Sequence, residues 1–189
     1  MPSLSDTDRQ KLLRLARQVV IEAVTLGHLP DKIPKDGVFA ERRGVFVTLR
    51  RHHRLQGCIG VVEGDDPLGE SLVRCAASAA LHDPRFAPLT PEDLDELEIE
   101  ISLLSPPAAI DPARIEIGHH GLLISRGTQR GLLLPQVAVE HKLTPEQFLE
   151  EVCRKAQLPR QSWRDPETQT LGFTCEVFTD GGVAGSGRV

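Results

Sequence analysis

Eight residues near the middle of the chain constrain its fold more than any others. Leu97, Ile99, Ile101 and Leu103 alternate with Glu98, Glu100 and Ser102. Side chains two apart share a face only in a strand, so 97–104 predicts a strand with one buried face and one wet face. A sheet with an apolar face needs a second layer over it, and the chain supplies helices for that purpose.

The first helix is expected over residues 5–26. Ser5 can cap it, and Leu12, Ala16, Val19, Val20, Ala23 and Leu26 recur at spacings of three and four. Gly27 offers the left-handed stop. Gly44 to Arg50 reads as a strand, Arg51-His52-His53-Arg54 as a polar turn, and Leu55 to Val62 as the returning strand of a hairpin. Asp66 as cap and Pro67 in the first turn open a second helix, whose inward face is Leu68, Leu72, Val73, Ala76, Ala79 and Ala80. Asp83-Pro84 ends it, and Thr90-Pro91 begins a short helical turn.

Farther on, 121–125 and 131–134 form a second hairpin. Thr144 and Gln147 make a capping box for a helix to about Gln157. Leu171 to Phe178 alternates as one final strand, and Trp163, beyond Pro159, is expected to anchor a loop in the core. Hairpins with helices set between them define an α+β fold with mostly antiparallel sheet. Residues 1–180 read as one domain, and the Gly-rich stretch from Gly181 to Val189 as a disordered tail.

Charge and composition remove several classes of function. A net charge of -5 gives no broad basic surface for nucleic acid, and 4% aromatics with no Tyr gives no stacking platform. No apolar run approaches the roughly 20 residues that span a bilayer. The charged residues of the first twenty leave no room for a signal peptide's apolar segment. Cys58, Cys75, Cys153 and Cys175 are far apart, and neither they nor the seven His show zinc-ligand spacing. Reduced thiols in the cytoplasm and no metal site are the expectation.

One segment stands out chemically. In Leu55-Gln-Gly-Cys-Ile-Gly60 two glycines bracket Cys58 and Ile59 inside a strand that glycine weakens. Either they clear space for a substrate or backbone to approach a thiol, or they accommodate a bulge beside a small buried Cys. His52 and His53 are adjacent and cannot chelate one metal from a strand. His119 and His120 precede a strand, and either could serve Cys58 as a base. Asp83-Pro-Arg-Phe86 directly follows a helix. Asp83 and Arg85 can pair, cap the reversal or hold a polar ligand.

These segments, in this order, resemble the AMMECR domain family, known in prokaryotes as AmmeMemoRadiSam system protein A. The likeness is carried by Leu55 to Gly60, Asp83 to Phe86, Leu97 to Ser102, Gly118-His-His-Gly-Leu122 and Gly131 to Val137, with Cys153, Lys155-Ala156 and Trp163 behind them. It implies an α+β protein with a larger and a smaller subdomain around a cleft. It also implies action beside a Memo-like protein and a radical-SAM protein. The family hallmark reads Leu-Arg-Gly-Cys-Ile-Gly, and Gln56 here replaces that Arg, so its positive charge is missing.

Two functions follow. One is an enzyme or enzyme subunit with Cys58 as nucleophile or transient carrier, His120 as base, and Gln56, Gly57, Gly60 and Arg85 around the substrate. The other is a non-catalytic module that binds a protein or small molecule at the same place. Neither the residues nor the resemblance names a cofactor or a small-molecule ligand.

Overall fold

A computed structural model describes residues 4–181. Almost all of the expected Gly-rich tail, from residue 182 on, lies outside the described residues. The elements in order are α1 (Asp6–Leu26), β1 (Val45–Arg51), β2 (Arg54–Val61), α2 (Leu68–Leu81), β3 (Leu97–Leu104), β4 (Ala108–Ala109), β5 (Gly121–Arg126), β6 (Gln129–Leu133), α3 (Pro135–Glu140), α4 (Pro145–Lys155), β7 (Gln169–Phe173) and β8 (Cys175–Thr179). The strands make two sheets, ordered β2-β1-β3-β8 and β4-β7-β5-β6, and the fold is α+β.

The chain divides into two compact units. The larger runs to Leu104 and resumes at Glu176; the smaller is Ser105–Cys175.

In the larger unit, Leu12, Ala16 and Val19 of α1 and Leu72 and Ala76 of α2 share a core with Val47, Leu49, Ile99 and Ile101. The Ser5 hydroxyl accepts the Asp8 N–H at one end of α1, and Gly27 closes the other end at φ 71°. β1 pairs antiparallel with both β2 and β3. The β1–β2 hairpin turns through His52 and His53 at φ 48° and 61°. A two-residue turn that matches strand twist needs both central residues left-handed, and His tolerates this better than most. The strand expected at 97–104 occupies those residues, with Ile99 and Ile101 buried and Glu98 and Glu100 half-buried. Ser102 departs from the pattern at 1% exposure.

The smaller unit has its own core, in which Leu122 and Ile124 of β5 meet Phe148, Leu149, Val152 and Cys153 of α4. Thr144 and Gln147 form the expected capping box at the start of α4. Trp163 sits in a 3-10 turn over Arg160–Arg164 and is half-buried against this core, with the Arg164 guanidinium 4.5 Å from its ring centroid.

Three expectations need correction. Asp66 does not cap α2: Pro67 holds that position, and the Asp66 carboxylate pairs with Arg74 instead. The single strand expected over 171–178 is two strands. β7 belongs to the second sheet and β8 to the first, with a break at Thr174. Alternation continues through such a break, so periodicity alone cannot reveal a change of sheet. The same alternation would set Cys175 on one buried face with Leu171, Phe173 and Val177; the break removes that shared face, and Cys175 is half-buried. α3 has only six residues, too few for a helical period to register. No described helix is long and apolar enough to cross a membrane.

Gly57 shows how tightly α2 lies on β2. A Cβ placed there would stand 2.0 Å from the Ala79 carbonyl oxygen, a backbone atom that cannot swing aside. Gly57→Ala is expected to lower stability by about 3 kcal/mol or more through this overpacking. Gly37→Ala meets no neighbour and adds only left-handed strain at φ 55°, on the order of 1 kcal/mol. Urea unfolding of the two variants gives the comparison.

Candidate functional site

Cys58 lies opposite Thr48 in the β1–β2 register. Its neighbours Gly57 and Ile59 turn toward α2 and the core, so the Cys58 side chain is on the other face of the sheet. The Thr48 hydroxyl, itself almost fully buried, donates to Cys58 Sγ at 3.2 Å. On the same rung Thr48 is opposite Glu100. A thiol, a hydroxyl and a half-buried carboxylate thus run in a row across three strands.

β2 is an edge strand, and an edge leaves backbone donors and acceptors without a neighbouring strand. At Cys58 the turn after α2 takes the neighbour's place. Asp83 Oδ2 accepts the Cys58 N–H at 2.9 Å, and Arg85 Nη2 donates to the Cys58 carbonyl at 3.0 Å. Donor and acceptor of one residue are thereby satisfied by one ion pair. Arg85 also donates from Nε and from its backbone N–H to Asp83 Oδ1, and from Nη2 to Oδ2. The Asp83 side chain is 2% exposed and the Arg85 side chain 56%, so the acid is the buried member and the base its solvated lid.

The electrostatics follow this geometry. Arg85 holds the Asp83 carboxyl well below the usual carboxylate range, helped by the two backbone N–H groups and opposed by burial. The Asp83 carboxylate in turn raises the Arg85 pKa, and Cys58 adds to that rise. The guanidinium is thus bound both to the acid and to the carbonyl of the residue that carries the thiol. Burial pushes the Cys75 thiol up to about 11, and it raises Cys153 as well.

The other expected site residues fall as follows. Gln56 is the extra residue of a β-bulge: Leu49 pairs with Gly57 and Arg50 with Leu55, which leaves Gln56 out of the register. Gly57 gives its side-chain space to Ala79, and Gly60 gives its space to the Phe46 ring. Arg85 is committed through Nε and Nη2, with Nη1 outside the clip.

His120 belongs to the smaller unit, whereas Cys58 belongs to the larger. Its Nδ1 accepts the Glu116 N–H at 3.0 Å, so the neutral ring carries its proton on Nε2. To act as a base it must surrender that bond. Burial, with His119 and Arg114 beside it, lowers its pKa.

Thr48 is the site member that motif reading leaves aside, and it is found only through strand register. Asp83 stands in a motif and makes the pair with Arg85 expected there, but its bond to the Cys58 N–H appears only through the approach of α2's end to β2. Among the described residues no group of three or more His, Cys, Asp and Glu could hold a metal ion.

A two-unit α+β protein with a cysteine clamped by its backbone on an edge strand is the class that fold and site define. The family model AMMECR1 matches residues 13–178. A Methanothermobacter thermautotrophicus protein is 42% identical, with 95% of this chain and 97% of that one covered. Protein TK0174 of Thermococcus kodakarensis is 42% identical over 95% and 94% of the two chains. The crystal structure of uncharacterized protein PH0010 from Pyrococcus horikoshii superposes with a TM-score of 0.86 at 39% identity, covering 93% of each chain. This chain belongs to the AMMECR1 family.

Removing the buried member of the clip should hurt more than removing its lid. Asp83→Ala leaves the Cys58 N–H without an acceptor and is expected to cost about 2 kcal/mol, whereas the exposed Arg85→Ala costs less. Because the Asp83 pKa is depressed, its contribution is complete above the unfolded carboxylate range and is lost as pH falls below it. Urea midpoints between pH 7 and pH 3 should fall less steeply for Asp83→Ala than for the wild type.

Proposed function

We propose that this chain is a thiol-bearing enzyme or enzyme subunit in which Cys58 acts as nucleophile or transient carrier. The observation that carries this reading is the Thr48 hydroxyl donating to a half-buried Cys58 sulfur, on a residue whose carbonyl the Arg85 guanidinium binds. A thiolate needs hydrogen-bond donors and nearby positive charge, and it is the thiolate that attacks. Thr48 is the donor and Arg85 supplies the charge. Nη1 of Arg85, outside the clip, is the group that would hold an anionic or carbonyl part of a substrate.

Gln56 adds a neutral donor and acceptor on the bulge, where the family hallmark has a cation. His120 can take the thiol proton only by giving up the Glu116 N–H, so the reading rests on thiolate stabilisation more than on a Cys–His pair. Memo-like and radical-SAM proteins are the partners this reading names, on the strength of the family resemblance.

Limiting iodoacetamide near neutral pH, followed by peptide mapping, tests the reading. Cys58 should be alkylated first. Cys75 and Cys153 should stay protected until unfolding, because both are buried and their thiols resist ionisation. Half-buried Cys175 is the internal comparator. Arg85→Gln should slow Cys58 labelling several-fold. If Cys58 stays silent until the protein unfolds, the nucleophile is lost, and the site is a non-catalytic surface for a protein or small molecule.

A further inference from the structure

The smaller unit contains a polar cavity of about 400 Å³, and His120, the base expected for Cys58, is one of its lining residues. Its wall is the segment from Ile110 to His120, faced by Phe173 and Thr174. Ile115 is buried and Ile117 packs on the same core, and the charged residues around them, Arg114 and Glu116, line the cavity. The turn that follows is locked from both sides. The His120 N–H donates to the Glu116 carbonyl, and the Glu116 N–H donates to His120 Nδ1. Gly118, at φ 83°, supplies the left-handed residue this turn requires. The His120 ring is thus fixed, with Nε2–H as its remaining donor, and the His119 ring stands edge-on at 4.8 Å between centroids.

What distinguishes this cavity is charge of both signs left unused. Among the described residues most other arginines are ion-paired. Among the described residues, the Arg114 guanidinium, the Glu116 carboxylate and the His120 Nε2–H make no hydrogen bond or ion pair, although all three residues line one cavity. A simple anion entering here would meet the Glu116 and Asp111 carboxylates, and a simple cation would meet Arg114. A ligand carrying both charges satisfies both sets of groups and is disfavoured by neither. The volume is within the range of small-molecule sites, and Ile110 and Phe173 add an apolar wall.

We propose that this cavity binds a free α-amino acid. Arg114 and His120 Nε2–H receive the carboxylate, Glu116 receives the ammonium, and the side chain lies toward Ile110 and Phe173. The proposal is independent of Cys58 chemistry and stands or falls separately from it.

The test is titration of the full chain with L-alanine, L-leucine and L-glutamate, set against acetate and isobutylamine as single-charge probes. Binding is followed by isothermal calorimetry and by the imidazole ¹⁵N resonances of His120. At least one amino acid should bind with a Kd tighter than about 10 mM and shift the Nε2 resonance, with both single-charge probes weaker by about tenfold or more. Arg114→Gln and Glu116→Gln, both surface changes, should each weaken that amino acid by about tenfold while the circular dichroism spectrum is unchanged. Acetate binding as tightly as the amino acid would reduce the cavity to an anion site and overturn the proposal. Equal binding of isobutylamine, or no response to any of the three amino acids, would also overturn it.

Discussion

A carboxylate withdrawn from water must find donors, and Asp83 finds them on its own turn and on the edge of β2. Its two oxygens accept from Arg85 and from the Cys58 backbone, so the end of α2, the edge strand and the thiol-bearing residue meet at one side chain. Edge strands are usually protected by charge, a bulge or a covering element. β2 has all three: the Asp83–Arg85 pair on its open side, the bulge at Gln56, and α2 pressed against Gly57. The consequence for chemistry is that Cys58 is held by its backbone. Its side chain stays free to lie on the opposite face against Thr48, and a thiol on a fixed backbone keeps a fixed direction of approach.

The same arrangement separates what the sequence makes legible from what it hides. Regular periods survive translation into structure: α1 with its Ser5 cap and Gly27 stop, the 97–104 strand, and the Thr144 capping box all rest on local rules. What fails are features set by which sheet a strand joins. Leu171 to Phe178 keeps its alternation across Thr174 while the chain passes from one sheet to the other. The change is marked by hydrogen bonds distant in sequence, Ser105 N–H to the Thr174 carbonyl and Thr174 N–H to Ser105 Oγ. Nothing within eight residues of a strand encodes a partner some seventy positions away.

The site divides along the same line. The Leu55–Gly60 and Asp83–Phe86 motifs are visible as oddities because glycine in a strand and Asp-Pro after a helix break local rules. That they are halves of one clip is not visible, since the contact depends on α2 ending beside the middle of β2. The glycines have a role that either sequence reading only half describes. Gly57 does let a backbone approach closely, that of α2 at the Ala79 carbonyl, whereas Gly60 makes room for the Phe46 ring. The bulge is present as well, two residues earlier than the thiol.

The exchange of the hallmark Arg for Gln56 can now be weighed by position. A bulged residue is turned away from the regular rung, so the side chain at 56 does not share the Cys58–Thr48–Glu100 row. The cation that does reach Cys58, Arg85, is held by Asp83 through three donors and binds the Cys58 carbonyl from the open edge. Arg85, pinned by the buried Asp83 carboxylate, keeps its place at the Cys58 carbonyl whatever stands at 56. The loss at 56 therefore bears on the part of a ligand that reaches the bulge, and it leaves the Asp83–Arg85 pair on the Cys58 backbone unchanged.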